Sequence, residues 1–219
     1  MTLVVAPCTH DAVKWAVEHW HYSRVMPAGK KICYGIWEHD KFIGAIIYSG
    51  GASPFLGKAL QLDPTEVCEL TRVAMTTHDA PVSKPLAMTL RELRVSNPGM
   101  RAVVSFADPK ESHHGGIYQA TNWVYTGMSN PVTEYFIGGR WRHTRRAWNH
   151  PARPTAESRV APGKYRYVYP LDRRMRKQVE SLAQPYPHAG EDSRVSRLGS
   201  TEEGRVRSPV SAPFPAPML

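Results

Sequence analysis

The side chains best suited to chemistry lie in the stretch "SFADPKESHHGGIYQATNWVYTG", residues 105–127. Asp108 follows a short apolar run that predicts a buried strand, and acids at the ends of such strands face the ligand crevice of an open α/β sheet. Tyr118 follows closely enough to share that crevice, and its hydroxyl can donate a proton to a leaving group. Each residue also has an ordinary explanation, since an aspartate before a proline suits a turn and a tyrosine suits a core.

A second acid lies in "VCELTRVAM", where Glu69 precedes Thr71 and Arg72. Strand alternation would send Glu69 and Thr71 to one face and Arg72 to the other. Charges on a central strand are costly unless they are paired or functional. Glu69 is therefore a candidate general base, with a structural ion pair as the alternative.

The segment "TTHDAPVSK" joins this strand to a predicted helix that begins at Ser83. A strand–loop–helix junction presents free backbone N–H groups and the positive helix end, which suits a pyrophosphate. Ser83 and Lys84 are the candidate phosphate ligands. The loop has neither a Walker pattern nor the glycines of a dinucleotide fingerprint, so this prediction rests on its position alone.

Metal binding has one candidate pair, His19 and His21, whose spacing could supply two ligands from an irregular helix end. Surface histidines are the alternative. The three cysteines, Cys8, Cys33 and Cys68, are far apart and lack a CxxC spacing, which favours a reduced intracellular protein without a zinc knuckle.

The charge is concentrated in one part of the chain. The net charge is +9, and the segment 140–177 contains 12 Arg or Lys residues against Glu157 and Asp172. A basic patch on a nearly neutral body favours an anionic partner, above all nucleic acid, although a solvated basic face would have the same composition. The candidate nucleic-acid ligands are Arg140, Arg142, Arg145, Arg146, Lys164, Arg166, Arg173 and Arg174.

Hydrophobic periodicity and turn residues indicate the elements that position these groups. In the first half of the chain we predict a helix over 10–20, a hairpin with strands 31–38 and 42–49, and a strand over 67–76. A helix N-capped by Ser83 and a strand ending at Asp108 follow. The remaining predicted elements are a helix over 115–127, the strands "TEYFIGG" and "RWRHTRRAW", and a short helix over 171–183. The alternation of strand and helix in the middle implies a parallel pair. The predicted fold is α+β, with a central mixed, partly antiparallel sheet flanked by helices.

The composition predicts three regions. Residues 1–150 form the catalytic domain, 151–187 form a basic aromatic extension packed on or near it, and 188–219 are too polar and proline-rich to order. No apolar stretch of membrane-spanning length and no signal peptide are recognisable, so we expect a cytoplasmic protein without a membrane partner.

The strand "VCELTRVAM", the helix "SKPLAMTLREL", the strand "AVVSFAD" and the segment "GGIYQATNWVYTG" together resemble the core of the GNAT N-acyltransferase fold. More specifically, "ELTRVAM", the "ADP…H.G.IYQATNW.Y.G" segment and "KYRYVYPLDRRMRK" resemble the Mom family of bacteriophage DNA-modification proteins. This resemblance spans roughly residues 15–185.

The resemblance implies an enzyme in the host bacterial cytoplasm that converts adenine N6 in double-stranded DNA to a methylcarbamoyl-type adduct, which protects phage DNA from restriction. It implies Asp108 and Tyr118 as functional residues, and Arg72 and Ser83 at positions associated with acetyl-CoA or a related acyl donor. It also implies iron, for which His19 and His21 are the candidates, and we consider a homodimer as a further assembly.

Two other functions fit part of the sequence. A generic GNAT N-acetyltransferase acting on a small-molecule or protein amine would not need the basic segment. A non-catalytic DNA-binding protein would not need Asp108, Tyr118 and a phosphate loop together.

Overall fold

The computed structural model describes residues 2–111, 113–187 and 214. Its strands are β1 Leu3–Pro7, β2 Lys31–Glu38, β3 Lys41–Ser49, β4 Val67–Met75, β5 Ala102–Ala107, β6 Val124–Met128, β7 Val132–Phe136, β8 Trp141–His143, β9 Ser158–Ala161 and β10 Tyr165–Pro170. Its helices are α1 His10–Trp20, α2 Ser83–Ser96, α3 Gly116–Gln119, α4 Thr144–Ala147 and α5 Arg173–Glu180.

Seven strands form the main sheet in the order β1-β2-β3-β4-β5-β10-β6. β4 and β5 are parallel and joined by α2, whereas the other paired neighbours in this sheet are antiparallel. The prediction of a mixed, partly antiparallel sheet flanked by helices is confirmed. Strands β8, β7 and β9 form a separate three-stranded sheet.

Helices cover both faces of the main sheet. The apolar face of α2, which includes Leu86 and Leu90, packs with Ile46 on one side. Helix α1 packs against alternate residues such as Ile47 on the other side, where α5 also packs. Burial of these leucines stabilises the fold, and truncating one to alanine in a packed core costs about 2–5 kcal/mol.

Strand β10 lies inside the main sheet, between β5 and β6. The basic aromatic segment therefore contributes an inner strand, and β9 adds one strand to the small sheet. The predicted disordered tail, 188–219, lies outside the described residues apart from Phe214, whose ring contacts Trp15 and Phe42.

Three local predictions need correction, and one strand was not predicted. The helix predicted over 115–127 ends at Gln119, because Asn122 adopts a left-handed conformation with φ of 59° and the aromatic residues after it form β6. The N-cap of α2 is Val82 rather than Ser83. The predicted strand "RWRHTRRAW" is a short strand, β8, followed by α4. Strand β1 was not anticipated.

The short helix predicted over 171–183 is confirmed as α5, which Asp172 caps by accepting a hydrogen bond from the backbone N–H of Met175. Within the part of the chain that the structure describes, no helix is both long and apolar enough to cross a membrane.

Candidate active site

The candidate site is a cleft at the point where β4 and β5 separate. The two strands pair only from Val67 opposite Ala102 to Glu69 opposite Val104, and diverge beyond that register. The resulting cavity has a volume of about 1160 Å³ and is lined by both strands, the end of α1, residues 52–56, the loop before α3 and the approach to β10. Its size suits a ligand with an extended arm.

A β-bulge in β4 determines which side chains line the cleft. Ile47 lies opposite Arg72 while Tyr48 lies opposite Leu70, so Thr71 is an extra residue in the register. The bulge interrupts the strict alternation expected from the sequence, and five consecutive residues from Glu69 to Val73 line the cavity.

Glu69 has its carboxylate inside the cleft, beneath the turn that follows β3. Its Oε2 accepts a hydrogen bond of 3.3 Å from the backbone N–H of Ala52. Burial raises the pKa of Glu69, although this N–H, Arg72 and Lys164 all act in the opposite direction. A partly desolvated carboxylate with a raised pKa has the properties of a general base.

Tyr118 is almost completely buried at the base of the same cleft. The Ser105 hydroxyl on β5 lies 2.8 Å from the Tyr118 hydroxyl and 2.9 Å from the Leu70 carbonyl oxygen, and its single proton can go to one of them at a time. Burial raises the pKa of Tyr118 to about 12, and Glu69 contributes to this shift through its charge. At neutral pH Tyr118 is therefore protonated and able to act as an acid.

Asp108 directly follows β5 and pairs with Lys164, with 2.7 Å between Oδ2 and Nζ. Its Oδ1 accepts a hydrogen bond from the backbone N–H of Lys110, so the turn expected before Pro109 is also present. Burial alone would lower the pKa of Lys164, but its hydrogen bond and ion pair with Asp108, together with Tyr22 and Glu69, raise it. Lys164 lines the cleft, and Asp108 holds it there as a cation.

Arg72 lines the cleft and is already bound to backbone carbonyl groups. Its Nε and Nη2 donate to the Val25 oxygen at 3.1 and 3.0 Å, and its Nη1 donates to the Thr71 oxygen at 2.6 Å. The guanidinium thus joins the loop after α1 to the bulge in β4. A role in binding the donor stays a prediction.

The two histidines proposed as metal ligands are held differently. His19 stacks on Trp15 and its Nδ1 lies 2.8 Å from the Trp15 carbonyl oxygen, outside the cleft lining. His21 lines the cleft, and burial lowers its pKa to about 4, with Arg72 and His113 acting in the same direction. Among the described residues no group of three or more His, Cys, Asp or Glu could hold a metal ion, so the structure gives the iron prediction no support.

The loop between β4 and α2 is already occupied by a carboxylate. Glu38, at the end of β2, accepts hydrogen bonds from the backbone N–H groups of Asp79 at 2.8 Å and Ala80 at 2.9 Å. Ser83 and Lys84 form the start of α2, and neither lines the cleft, although the preceding Val82 does.

The basic residues fall into two groups at opposite ends of β10. At the cleft end Tyr165 lies opposite Ala107, and at the far end Pro170 lies opposite Ala102. Arg145, Lys164 and Arg166 line the cleft. The nearby Arg140, Arg142 and Arg146 belong to the segment of β8 and α4, and Arg173 and Arg174 begin α5 beyond the far end.

Tyr167 fixes the loop that leads to Tyr118, a role the sequence did not suggest. The Tyr167 hydroxyl donates to the His114 carbonyl oxygen at 2.6 Å, and the Tyr167 and Tyr118 ring centroids are 4.9 Å apart. Gly115 has φ of +89°, and a Cβ there would lie 2.3 Å from the Tyr167 ring. The adjacent glycines in "HHGG" were the signal that a close backbone approach occurs here.

The chain matches the family model of the Mom protein family over residues 2–188. It belongs to the Mom protein family. This Mom family member is also 28% identical over 186 residues to the protein described as methylcarbamoylase mom of Escherichia phage Mu, a match that covers 76% of each chain.

Solved structures with a similar fold include an N-acetyltransferase from Staphylococcus aureus Mu50, with a TM-score of 0.47, 12% identity and coverage of 78% of this chain and 99% of that one. Another is the aminoglycoside acetyltransferase AAC(6')-Ib in complex with coenzyme A and kanamycin, with a TM-score of 0.48, 12% identity and coverage of 82% and 99%. A third is FeeM, an N-acyl amino acid synthase from uncultured soil microbes, with a TM-score of 0.48, 12% identity and coverage of 81% and 94%.

Proposed function

We propose that this Mom family member is a phage-type DNA-modifying enzyme of the acyltransferase class, which places a methylcarbamoyl-type group on adenine N6 in double-stranded DNA. Two findings support the reaction class: membership of the family, and the description of the phage Mu relative as a methylcarbamoylase. The observation that carries the proposal is the meeting of a basic carboxylate, Glu69, and a protonated phenol, Tyr118, in one cleft with a basic rim.

Glu69 is the base in this proposal. The adenine N6 amine is a poor nucleophile because its lone pair is delocalised into the ring, so loss of its proton during attack lowers the barrier. The raised pKa of Glu69 makes it a better proton acceptor than a carboxylate in water. For the product to be a methylcarbamoyl adduct the donor would have to carry that group already, as a thioester of the form CH3NH–C(=O)–S–R, because a simple acetyl thioester would leave an N6-acetyl group. Attack would form the bond from N6 to the carbonyl carbon and break the C–S bond, so that the thiolate leaves.

Tyr118 is the acid that protonates the leaving group. When the Ser105 hydroxyl donates to the Tyr118 oxygen, the phenolic proton is free to point away from Ser105. Ser105 then stabilises the phenolate that remains after transfer, and solvent restores the proton. Asp108 acts through Lys164 as a positioning residue in this scheme, since its carboxylate is occupied by the ammonium group.

DNA must present a single base to the cleft, because the N6 amine is inaccessible within a duplex. Extruding a base costs a few kcal/mol of stacking and pairing. Arg145, Lys164 and Arg166 at the cleft provide positive charge for the backbone phosphates of the distorted strand. Exposed aromatic rings near the cleft, Phe55 and Tyr22, offer surfaces on which a base can stack.

The test is mass spectrometry of nucleosides from plasmid DNA co-expressed with the protein in bacteria. We expect a heavier deoxyadenosine whose mass increase identifies the added group, and resistance of that DNA to restriction enzymes with adenine in their sites. The product should disappear with Glu69→Gln and Tyr118→Phe. Unmodified DNA from well-expressed, folded protein would favour an N-acetyltransferase of small amines, or a DNA-binding protein without catalysis.

A further inference from the structure

The small sheet formed by β8, β7 and β9 carries a second set of side chains beside the cleft. Residues two apart along a strand share a face, as do residues directly opposite each other in an antiparallel pair. Val132, Glu134 and Phe136 of β7 therefore lie on one face. Arg159 of β9 lies opposite Glu134 and belongs to the same face. Trp141 of β8 joins it opposite Phe136, and we call this the cleft-side face.

The cleft-side face begins at the cleft itself. Val132 lines the cavity, and so does His143, which lies opposite Glu134. Phe136 is four residues farther along β7 than Val132, which is about 13 Å at roughly 3.3 Å per residue. Stacked nucleotides of one strand follow each other at about 3.4 Å. A DNA strand leaving the cleft along this face therefore reaches Phe136 within about four nucleotides.

Aromatic and cationic side chains meet at the outer end of the cleft-side face. The ring centroids of Phe136 and Trp141 are 5.3 Å apart. The guanidinium carbon of Arg159 lies 4.1 Å from the centroid of the Trp141 ring, so Arg159 covers that ring. Phe136 has an exposed fraction of 42%. Phe136 is thus the more accessible ring for a base.

Glu134 holds the cations of this face in place. Its Oε2 lies 2.7 Å from Lys110 Nζ and 2.9 Å from Arg159 Nη2. Two cations share one carboxylate, so the group keeps a net positive charge. A guanidinium has five N–H donors, and Arg159 keeps some of them for a phosphate oxygen. Flat rings beside positive charge are typical of surfaces that bind single-stranded nucleic acid.

The opposite face of the small sheet differs from the cleft-side face. Thr133 and Tyr135 alternate with the residues of the cleft-side face, and neither lines the cleft. The guanidinium of Arg153 lies over the Tyr135 ring, 5.6 Å from its centroid. Val160 lies opposite Thr133 with an exposed fraction of 75%. Val160 is therefore an exposed apolar residue of the same sheet on the other face, and serves as a matched control.

We propose that Phe136, Trp141 and Arg159 form a stacking platform for a nucleotide that flanks the target adenine. Extrusion of the target leaves its neighbours in that strand partly unstacked, and one of their bases stacks on Phe136 while Arg159 binds its phosphate. Stacking strength favours the larger purine rings, so the platform gives the reaction a modest preference for a flanking purine. The identity of the target rests on the proposed function, whereas binding of a DNA strand by this face does not depend on catalysis.

Fluorescence anisotropy with a labelled nine-nucleotide single strand, a central adenine among thymines, tests the platform on the full chain. We expect Phe136→Ala to weaken binding by roughly 5- to 150-fold, the equivalent of about 1–3 kcal/mol for one stacked base. Phe136→Tyr keeps an aromatic ring and should bind as the wild type does. Val160→Ala should also leave the affinity unchanged. Thermal melting by circular dichroism verifies that each variant is folded.

Replacing each flanking nucleotide in turn by an abasic one identifies the base that stacks. At one position the abasic strand should bind the wild type more weakly by about the same factor as Phe136→Ala. That abasic strand should lose nothing further with Phe136→Ala, because the stacked pair is already absent.

Three results would overturn the proposal: equal losses in Phe136→Ala and Val160→Ala, additive losses at every abasic position, or a wild type that binds no single strand. The nucleoside analysis gives a separate answer. Coupling of Phe136 to one position without a modified deoxyadenosine would support the platform and reject the DNA-modifying function. Modified DNA together with additive losses would reject the platform alone.

Discussion

In the proposed reaction, the same burial would suit Glu69 and Tyr118 to opposite proton transfers. Removal from water penalises the charged form of each group, so it makes the carboxylate a stronger base and keeps the phenol protonated. The Ala52 N–H, Arg72 and Lys164 oppose the effect of burial, which raises the pKa of Glu69.

The pH dependence of the reaction should report Glu69. Its raised pKa means that it takes up a proton at a higher pH than a free glutamate, so activity should fall as the pH decreases through a value above 4.5. Tyr118, with a pKa of about 12, should leave the neutral and mildly alkaline range flat. Glu69→Gln should remove this fall of activity at low pH and reduce kcat by a factor of about 10²–10⁴. Initial rates of adduct formation across pH check this, with exposed Glu157→Gln as the control.

The turn above Glu69 offers a second test at the same residue. Gly51 has φ of +77°, and a Cβ there would lie 2.7 Å from Glu69 Oε2, whereas Gly29 has φ of +76° and nothing within 4 Å. Alanine at either site carries the same left-handed strain of about 1–2 kcal/mol. Gly51→Ala should also displace the carboxylate and lower kcat, while Gly29→Ala lowers only the melting temperature. Equal activity of the two variants would contradict the placement of Glu69 as the base.

At the scale of elements, the loop before α3 depends on a strand that comes much later in the chain. Tyr167 on β10 binds the His114 carbonyl oxygen and packs on Tyr118, so it fixes the loop from its buried side. Because β10 sets the position of Tyr118, that position should be sensitive to any enlargement of Gly115.

Gly115→Ala should therefore destabilise the protein and reduce activity together. Its Cβ would lie 2.3 Å from the Tyr167 ring at φ of +89°, while Gly139 has φ of +74° and open space around it. Both alanine variants carry left-handed backbone strain of about 1–2 kcal/mol. We expect Gly115→Ala to lower the free energy of unfolding by more than this amount, and Gly139→Ala to lower it by the strain alone. Chemical denaturation measures the difference, and similar unfolding free energies for the two variants would show that the loop yields without cost.

Elements with long, regular patterns were predictable from sequence, as α1, the β2–β3 hairpin and β4 illustrate. The segment 115–127 was misread because a short run of aromatic and small residues fits either a helix or a buried strand, and the left-handed Asn122 that separates α3 from β6 leaves no clear periodic signal. The position of β10 between β5 and β6 could not be inferred, since it depends on pairing between residues about 60 positions apart, such as Ala107 and Tyr165.

The candidate site was predictable to the extent that it depends on residue types within β4 and α3. Glu69, Arg72 and Tyr118 do line one cleft. Other features of the site depend on contacts between segments that are distant in the sequence, so no local sequence pattern predicts them. These features are the hydrogen bonds of Ser105 and Glu38 and the ion pair between Asp108 and Lys164. The bulge at Thr71 likewise changes which residues face the cleft without a glycine or proline to mark it.

At the scale of the whole molecule, the basic residues at the two ends of the main sheet should differ in function. Arg145→Gln with Arg146→Gln removes two charges beside the cleft, and Arg173→Gln with Arg174→Gln removes two at the far end. Each lost phosphate contact reduces the slope of log affinity against log salt concentration by roughly 0.9. If DNA binds over the cleft, the double variant at Arg145 and Arg146 should therefore reduce this slope by about 1.8, and the double variant at Arg173 and Arg174 should leave it unchanged. Fluorescence anisotropy with a short DNA duplex at several salt concentrations measures the slope for both variants. Equal reductions of the slope in the two variants would place DNA along the whole sheet.

The location of β10 also has a consequence for synthesis of the protein on the ribosome. Until residues 165–170 have left the exit tunnel, β5 and β6 each present an unpaired edge, because the strand that separates them does not yet exist. Such edges are prone to aberrant pairing, and contacts between distant residues form slowly. The loop carrying Tyr118 also lacks the Tyr167 ring that holds it. If the chain has the proposed activity, that activity should appear only after residues 165–170 have been translated, which sets a minimum delay between the start of translation and the first turnover.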